Sequence, residues 1–257
     1  HDQSPFGSLV VTESAGQLNF FGSGVPLFST DSPEQAEQTV HFAMAQRPEA
    51  EAVLLISGGV TGTAWEILKW GVGRVDYVEL DPSVVSAARR LLPGVLEDPR
   101  IHVLAGDGRR HVRQTARRYD VVIVDLPDPT TLQLNRFYTE QFFREVAGVL
   151  TPEGVLACSL AHYENYVSEQ LAGLLGVARR TLRQVFSRVR LVPGAEVYFL
   201  ASNGPLDRDT SAEIERHGVE VELLNRSYVR SVLADDRAGA LARSLPAEAP
   251  VNRDFDP

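Results

Sequence analysis

From Glu51 to Leu160 the chain alternates short apolar runs with stretches of helical pattern, and this alternation constrains the fold more than any other feature. AVLLI, RVDYVEL, IHVLAGD, YDVVIVD and GVLACSL have the length and β-branched content of strands. Between them helices are predicted from about Thr63 to Trp70, from Pro82 to Leu92, from about Arg109, and from about Thr139 to Leu150. Such an alternation makes a mainly parallel sheet covered by helices. Asp81-Pro82 supports the register, with Asp as N-cap and Pro at the first helical position. Upstream, SLVVTES, QLNFF and VPLFST are broken at Gly16, Gly22 and Gly24 and predict a small antiparallel β unit over residues 1–32. Pro33 to Gln46 turns helical. Downstream, a long helix near 165–185 precedes RVRLVPGAEVYFLAS, a hairpin turning at Pro193-Gly194, and residues 206–257 form a helical or mixed extension.

Composition narrows the chemistry. With 257 residues and 44% hydrophobic content the chain can bury a substantial core. A formal net charge of -9 argues against a nucleic-acid surface and suits a cationic ligand. One cysteine, Cys158, excludes an internal disulfide framework and a cysteine-based zinc site, and its place in GVLACSL marks it as a core thiol. Apolar runs such as Val53–Ile56 are far shorter than the roughly 20 residues that span a bilayer. Because the chain opens on His1 and stops at VNRDFDP, it is expected to be a segment of a longer product or a processed form; nothing reads as a signal peptide.

In an open parallel sheet, ligands bind beyond the carboxyl ends of the strands where the strand order reverses. Ser57-Gly58-Gly59-Val60-Thr61-Gly62 follows the first core strand, a glycine turn that lets a ligand approach the backbone and a helix N-terminus. Ser57 occupies its first glycine position. The next strands end on Glu79, which suits ribose hydroxyls; on Asp107 beside Gly108, which suits an adenine amine; and on Asp125. Asp128 follows, between Pro127 and Pro129, which fix φ and stiffen the connection. No phosphate-binding GxxxxGK[ST] loop is present, so a positively charged nucleoside such as S-adenosylmethionine or its decarboxylated form fits better than a nucleotide. A metal held by the two carboxylates lacks further ligands at sensible spacing. His41, on the helix facing this edge, is a candidate lining residue, whereas Trp65 and Trp70 are expected to pack.

From about Gln3 to Leu200, and most closely over VLLISGGVTGTAWEILK, VDYVELDPSVV, DPRIHVLAGDG and YDVVIVDLPDP, followed by FYTEQFF, the chain resembles the polyamine aminopropyltransferase (spermidine synthase) family. DLPDP looks like that family's D-x-x-D-P signature. The resemblance implies a Rossmann-like fold of the class I S-adenosylmethionine-dependent transferase type, with residues 33–205 as the catalytic domain. It implies that an aminopropyl group passes from decarboxylated S-adenosylmethionine to putrescine or another polyamine, releasing methylthioadenosine, with no metal. Gln3, Gly58, Gly59, Glu79, Asp107 and Gly108 would bind the nucleoside, Asp125 would be the catalytic acid/base beside the aminopropyl group, and Asp128 would hold the amine, with Gln35 and Tyr138 also lining its site. A cytoplasmic soluble domain is expected, with a homodimer and membrane helices elsewhere in the full-length protein as further expectations, since members of this family are sometimes fused to such helices. Three positions depart from the family pattern: Val60 replaces an Asp that holds an amino group, and Gln35 and Ala36 replace a Tyr and the Gln or His after it. Asn135, Arg136 and Tyr138 follow in a loop that could reshape the pocket or cover it. Two alternatives stay open at this point, a methyltransferase on the same scaffold and a domain that binds a nucleoside or polyamine without turning it over.

Overall fold

A computed structural model of the chain describes residues 2–14, 16–22, 25–30, 33–94, 96–163, 167–233 and 235–255. Strands β1 (Asp2–Ser4), β2 (Gly7–Ser14), β3 (Gln17–Gly22) and β4 (Val25–Ser29) pair antiparallel in sequential order as a separate sheet. Helix α1 (Pro33–Met44) then leads into β5 (Ala52–Ile56), α2 (Thr63–Leu68), β6 (Arg74–Glu79), α3 (Pro82–Leu91) and β7 (Ile101–Ala105). The chain continues through α4 (Gly108–Gln114), β8 (Tyr119–Val124), α5 (Leu132–Asn135), α6 (Glu140–Val149), β9 (Leu150–His162) and α7 (Glu169–Leu182). It closes with the hairpin β10 (Arg188–Pro193) and β11 (Glu196–Ser202), and the helices α8 (Thr210–Arg216), α9 (Arg226–Val232) and α10 (Asp235–Ser244).

The larger sheet has the order β10-β11-β9-β8-β5-β6-β7. β9, β8, β5, β6 and β7 are mutually parallel, and β11 and β10 add an antiparallel edge. After β5 the chain builds outward through β6 and β7; it then returns to the other side of β5 to lay down β8 and β9. The order therefore reverses between β5 and β8, the place where an open sheet of this kind binds its ligands beyond the carboxyl ends of the strands. The mixed α/β architecture with a small antiparallel unit is the one the sequence predicts.

The central strands are apolar on both faces, as parallel strands sandwiched by helices must be. Val53, Leu55, Val121 and Ile123 point into one core with α1 and α2, while Leu54, Ile56, Val122 and Val124 point into a second core with α6 and α7. Cys158 belongs to this second core, and burial pushes its thiol up to about 12.

α1 buries polar side chains as well as its apolar ones. Glu37, Gln38 and His41 within it, and Gln46 just beyond it, are each at most 1% exposed, so each needs a partner. The segment after the sheet supplies most of them. The Glu37 carboxylate accepts the backbone N–H groups of Glu222, Leu223 and Leu224 at 2.5–2.9 Å. Gln46 exchanges hydrogen bonds with the backbone of Arg208, and Gln38 donates to Tyr228. His41, predicted to line the ligand edge, does not: its Nδ1 accepts from Trp70 Nε1–H at 2.9 Å and its Nε2 lies 3.1 Å from Glu66. Trp70 packs there at 6% exposure, whereas Trp65, expected to pack, is 51% exposed.

A second fastening holds the last residues. The buried guanidinium of Arg109, on α4, forms two-point ion pairs with Glu145 and with Asp254 and also donates to the carbonyl of Arg136. Asn252 exchanges amide hydrogen bonds with Asn135 and donates to the carbonyl of Tyr138. Residues 252–254 thus strap the loop after β8 to the body of the domain. Removing one partner of a buried ion pair typically costs about 3–5 kcal/mol. Because Glu145 and Asp254 keep some solvent contact, Arg109→Ala is expected at the lower end of that range, measured as the shift in urea-unfolding free energy.

Candidate active site

The turn after β5 and the end of β8 meet at the reversal point. Gly58 has φ +73°, and a Cβ placed there would lie 1.9 Å from Asp125 Oδ2. Backbone conformation and space both demand glycine. Gly59 is set by packing instead, since a Cβ would come within 2.6 Å of the Tyr77 ring. A Cβ on Gly108 would likewise meet Ile56 at 2.5 Å. Thr63, at the start of α2, donates its hydroxyl to Asp125 Oδ2 at 2.9 Å, and the Asp125 backbone N–H donates to the carbonyl of Ile56. Asp125 is therefore fixed against the glycine turn from two sides.

Among the described residues, the non-glycine positions with positive φ are Ser57 at 65° and Ala161 at 57°. Both touch this site. The Ser57 hydroxyl lies 3.4 Å from Glu79 Oε2, and Ala161 N–H donates to Asp128 Oδ1 at 2.8 Å. Backbone held in this region costs on the order of 1–3 kcal/mol and collects where function constrains geometry.

The carboxylates fall into two electrostatic groups. Burial pushes Asp125 up to about 6, with Glu196 and Glu79 adding to the rise and Thr63 opposing it. Burial also raises Glu79, although Tyr77 Oη–H at 2.8 Å and the Asp81 N–H at 3.2 Å stabilise its charge. Burial raises Glu196, with Asp128 adding to it and Ser159 and His162 opposing. Asp107 behaves differently. Burial disfavours its charge, but the Arg136 guanidinium and the Arg110 N–H outweigh that and hold it below its ordinary value. Glu79, Asp125, Glu196 and Asp128 thus form a chain of neighbouring acids, while Asp107 is neutralised by an arginine from the strapped loop.

The remaining predicted residues occupy several settings. Asp128 is exposed on the loop after β8. Gln35 is exposed on α1 and donates to Glu196 at 3.2 Å, so it meets the acidic group through that carboxylate. Tyr138 is buried, with its hydroxyl 3.5 Å from the carbonyls of Leu126 and Ser159, beneath the DLPDP segment. Val60 is 3% exposed and packs in the first core. Ala36 is buried, and a Cβ on Gly62 would lie 3.8 Å from its methyl. Gln3 lies in β1, but its side chain falls outside the described residues. Sequence reasoning missed Glu196, Thr63 and Ser159. The available signal for Glu196 was an acid opening the otherwise apolar strand EVYFLAS directly after a hairpin tip. No group of three or more His, Cys, Asp or Glu among the described residues is placed to hold a metal ion, and no helix among them is long and apolar enough to cross a membrane.

Fold and site together define a Rossmann-like α/β domain with acids gathered at its strand-order reversal. The chain belongs to the spermine/spermidine synthase family, whose domain matches residues 34–199. It is 37% identical over 163 residues to a polyamine aminopropyltransferase of Oceanobacillus iheyensis, an alignment that covers 60% of this chain and 32% of that protein. The chain spans about a third of the length of the first curated relatives it matches, 32% and 38%. Among solved structures it superposes on a spermidine synthase in complex with the transition-state analogue AdoDATO, with TM-score 0.78, 25% identity, and coverage of 93% of this chain and 87% of that one. Human methyltransferase-like protein 13 in complex with SAH shares the fold at TM-score 0.60 and 22% identity, covering 77% of this chain and 98% of that one.

Two predictions test the site as built. Gly58→Ala and Gly71→Ala impose similar backbone strain, since Gly71 has φ +74° but nothing within 4 Å of a Cβ. Strain alone costs roughly 1–2 kcal/mol; urea unfolding is expected to show a clearly larger loss at Gly58, because only there must Asp125 move. Asp125 binds its proton more tightly folded than unfolded, so that stabilisation is complete below about 3.8 and lost as pH rises through about 6. The rise corresponds to roughly 3 kcal/mol at about 1.36 kcal/mol per pKa unit. Asp125→Asn is therefore expected to be more stable than the parent at pH 8, with the advantage fading towards pH 4, in paired denaturation curves.

Proposed function

We propose that this domain is an aminopropyltransferase that moves the aminopropyl group of decarboxylated S-adenosylmethionine to a small polyamine and releases methylthioadenosine. The observation that carries this reading is the placement of Asp125 at the strand-order reversal, pressed against the Gly58 turn and held by the Thr63 hydroxyl, where burial and the charges of Glu196 and Glu79 raise its proton affinity. A site with this much unneutralised negative charge favours cations, and donor and acceptor both carry positive charge.

The reaction is a direct displacement. The acceptor's reacting ammonium gives a proton to Asp125, the freed lone pair forms a bond to the carbon next to the sulfonium, the C–S bond breaks with its electron pair passing to sulfur, and the product leaves as a secondary ammonium. A free alkylamine near 10.4 and an aqueous aspartate near 3.9 are separated by roughly 9 kcal/mol. At about 6, Asp125 narrows that to roughly 6 kcal/mol. Desolvation of the amine lowers its own pKa and closes more of the gap, and orientation against the electrophilic carbon lowers the barrier further.

Gly58 and Gly59 leave the backbone open to the donor. Glu79 is suited to its ribose, and Asp107 to its adenine amine. Arg136 does not preclude the latter, because a carboxylate offers about four acceptor positions and Arg136 and the Arg110 N–H occupy two of them. Asp128, fixed by Ala161 N–H, is suited to the acceptor's remote ammonium. Val60 supplies no charge to the donor's amino group, so that ammonium depends on the acids around Asp125.

Asp125→Asn is expected to lower turnover by about 10²–10⁴-fold, the usual weight of a general base, while calorimetry shows methylthioadenosine binding largely kept. For the parent, kcat/KM should rise with pH through about 6 as Asp125 loses its proton. Methyl transfer from S-adenosylmethionine, or tight nucleoside binding without any product from a diamine panel, would replace this reading with one of the alternatives.

A further inference from the structure

Glu196 is a third acid at the amine end, and no conventional motif marks it. It opens β11 and pairs across the ladder with His162. Its carboxylate accepts from Gln35 Nε2–H at 3.2 Å and from the Ser159 hydroxyl. Those two donors are neutral, and among the described residues His162 opposes the rise in the proton affinity of Glu196. Asp125 and Asp128 both lie close enough to feel its charge.

The hairpin tip that carries Glu196 is rigidly placed. Ala195 N–H donates to Gln38 Oε1 at 2.8 Å, Tyr163 N–H donates to the Ala195 carbonyl at 2.9 Å, and Gly194 N–H donates to the Glu196 carbonyl at 2.9 Å. A Cβ on Gly194 would lie 2.0 Å from Gln38 Oε1, so the tip is packed onto α1 without slack. A partly buried carboxylate held by neutral donors on a fixed backbone retains its appetite for a cation. Beside it, Asp128 is exposed and accepts the Ala161 backbone N–H. The two acids come from different strand ends and are fixed independently, which gives the site a two-point reader for charge remote from the reacting nitrogen.

We propose that Glu196, together with Asp128, binds the non-reacting ammonium of the acceptor and so makes the site selective for di- and polyamines over monoamines of equal length. This inference rests on the aminopropyltransferase reading above for its substrate, and it adds a specificity-determining residue to that site.

The test compares 1,4-diaminobutane with butylamine as acceptors for the parent and for Glu196→Gln, which keeps the size and hydrogen-bonding capacity of the side chain. The parent should prefer the diamine. In Glu196→Gln the diamine-to-monoamine ratio of kcat/KM should fall by about tenfold or more, mainly through a higher KM for the diamine, with the melting temperature not lowered and the methylthioadenosine affinity unchanged. A ratio within twofold of the parent's would overturn the inference. If the parent turns over neither these two amines nor any member of a diamine panel, the aminopropyltransferase reading fails, and calorimetry on the methylthioadenosine-loaded protein decides the role of Glu196. At least fivefold weaker diamine binding by Glu196→Gln upholds it there, and equal binding overturns it.

Discussion

The carboxyl edge of the sheet is organised around a largely enclosed carboxylate with acids beside it. Asp125 stands where β5 and β8 diverge, and its near neighbours are a glycine that has no side chain to give way, a threonine hydroxyl and other acids. A folded chain ordinarily pairs such a group with Arg or Lys, because isolated buried charge is costly. Here the neighbourhood does the opposite, and the acid is left with a proton affinity well above that of a surface aspartate. The glycine turn, the strained backbone at Ser57 and the polar anchoring of α1 all act to keep that arrangement from relaxing.

The contrast with Asp107 shows that this is a local choice and not a property of the whole edge. Asp107 caps α4 and is matched by Arg136, whose loop is in turn held by Arg109, Asn252 and Asp254. One end of this edge is therefore electrically balanced by the protein itself, while the other is left for a ligand to balance. The proposed donor, with a neutral aromatic base at one end and a sulfonium and an ammonium at the other, would match that gradient.

Much of this was legible in the residues. Strands such as AVLLI and VVIV are apolar on both faces, which only a covered parallel sheet can use, and the acids stand out because they interrupt that pattern at its carboxyl edge. Other parts were not legible because they depend on contacts distant in sequence. His41 lies on the expected helix, but its direction is set by Trp70 and Glu66 on the neighbouring helix. α1 carries buried polar groups whose partners come from residues 206–228, so no periodicity in either segment reveals the match. Glu196 looks like the outward-facing residue of a hairpin strand until β9 brings Ser159 and His162 beside it. Tyr138 carries a polar tip that suggests a binding role, yet its ring is consumed by the second core.

The two tryptophans give the molecule a built-in optical instrument. Trp70 is enclosed and hydrogen-bonded to an imidazole, so its emission is fixed by the protein interior. Trp65 lies two residues beyond Thr63, the side chain that touches Asp125, and is open to solvent. With no other indole in the chain, the red-shifted component of the spectrum belongs to Trp65 and the blue-shifted component to Trp70, so the loss of structure around the enclosed indole on unfolding can be followed without any added dye.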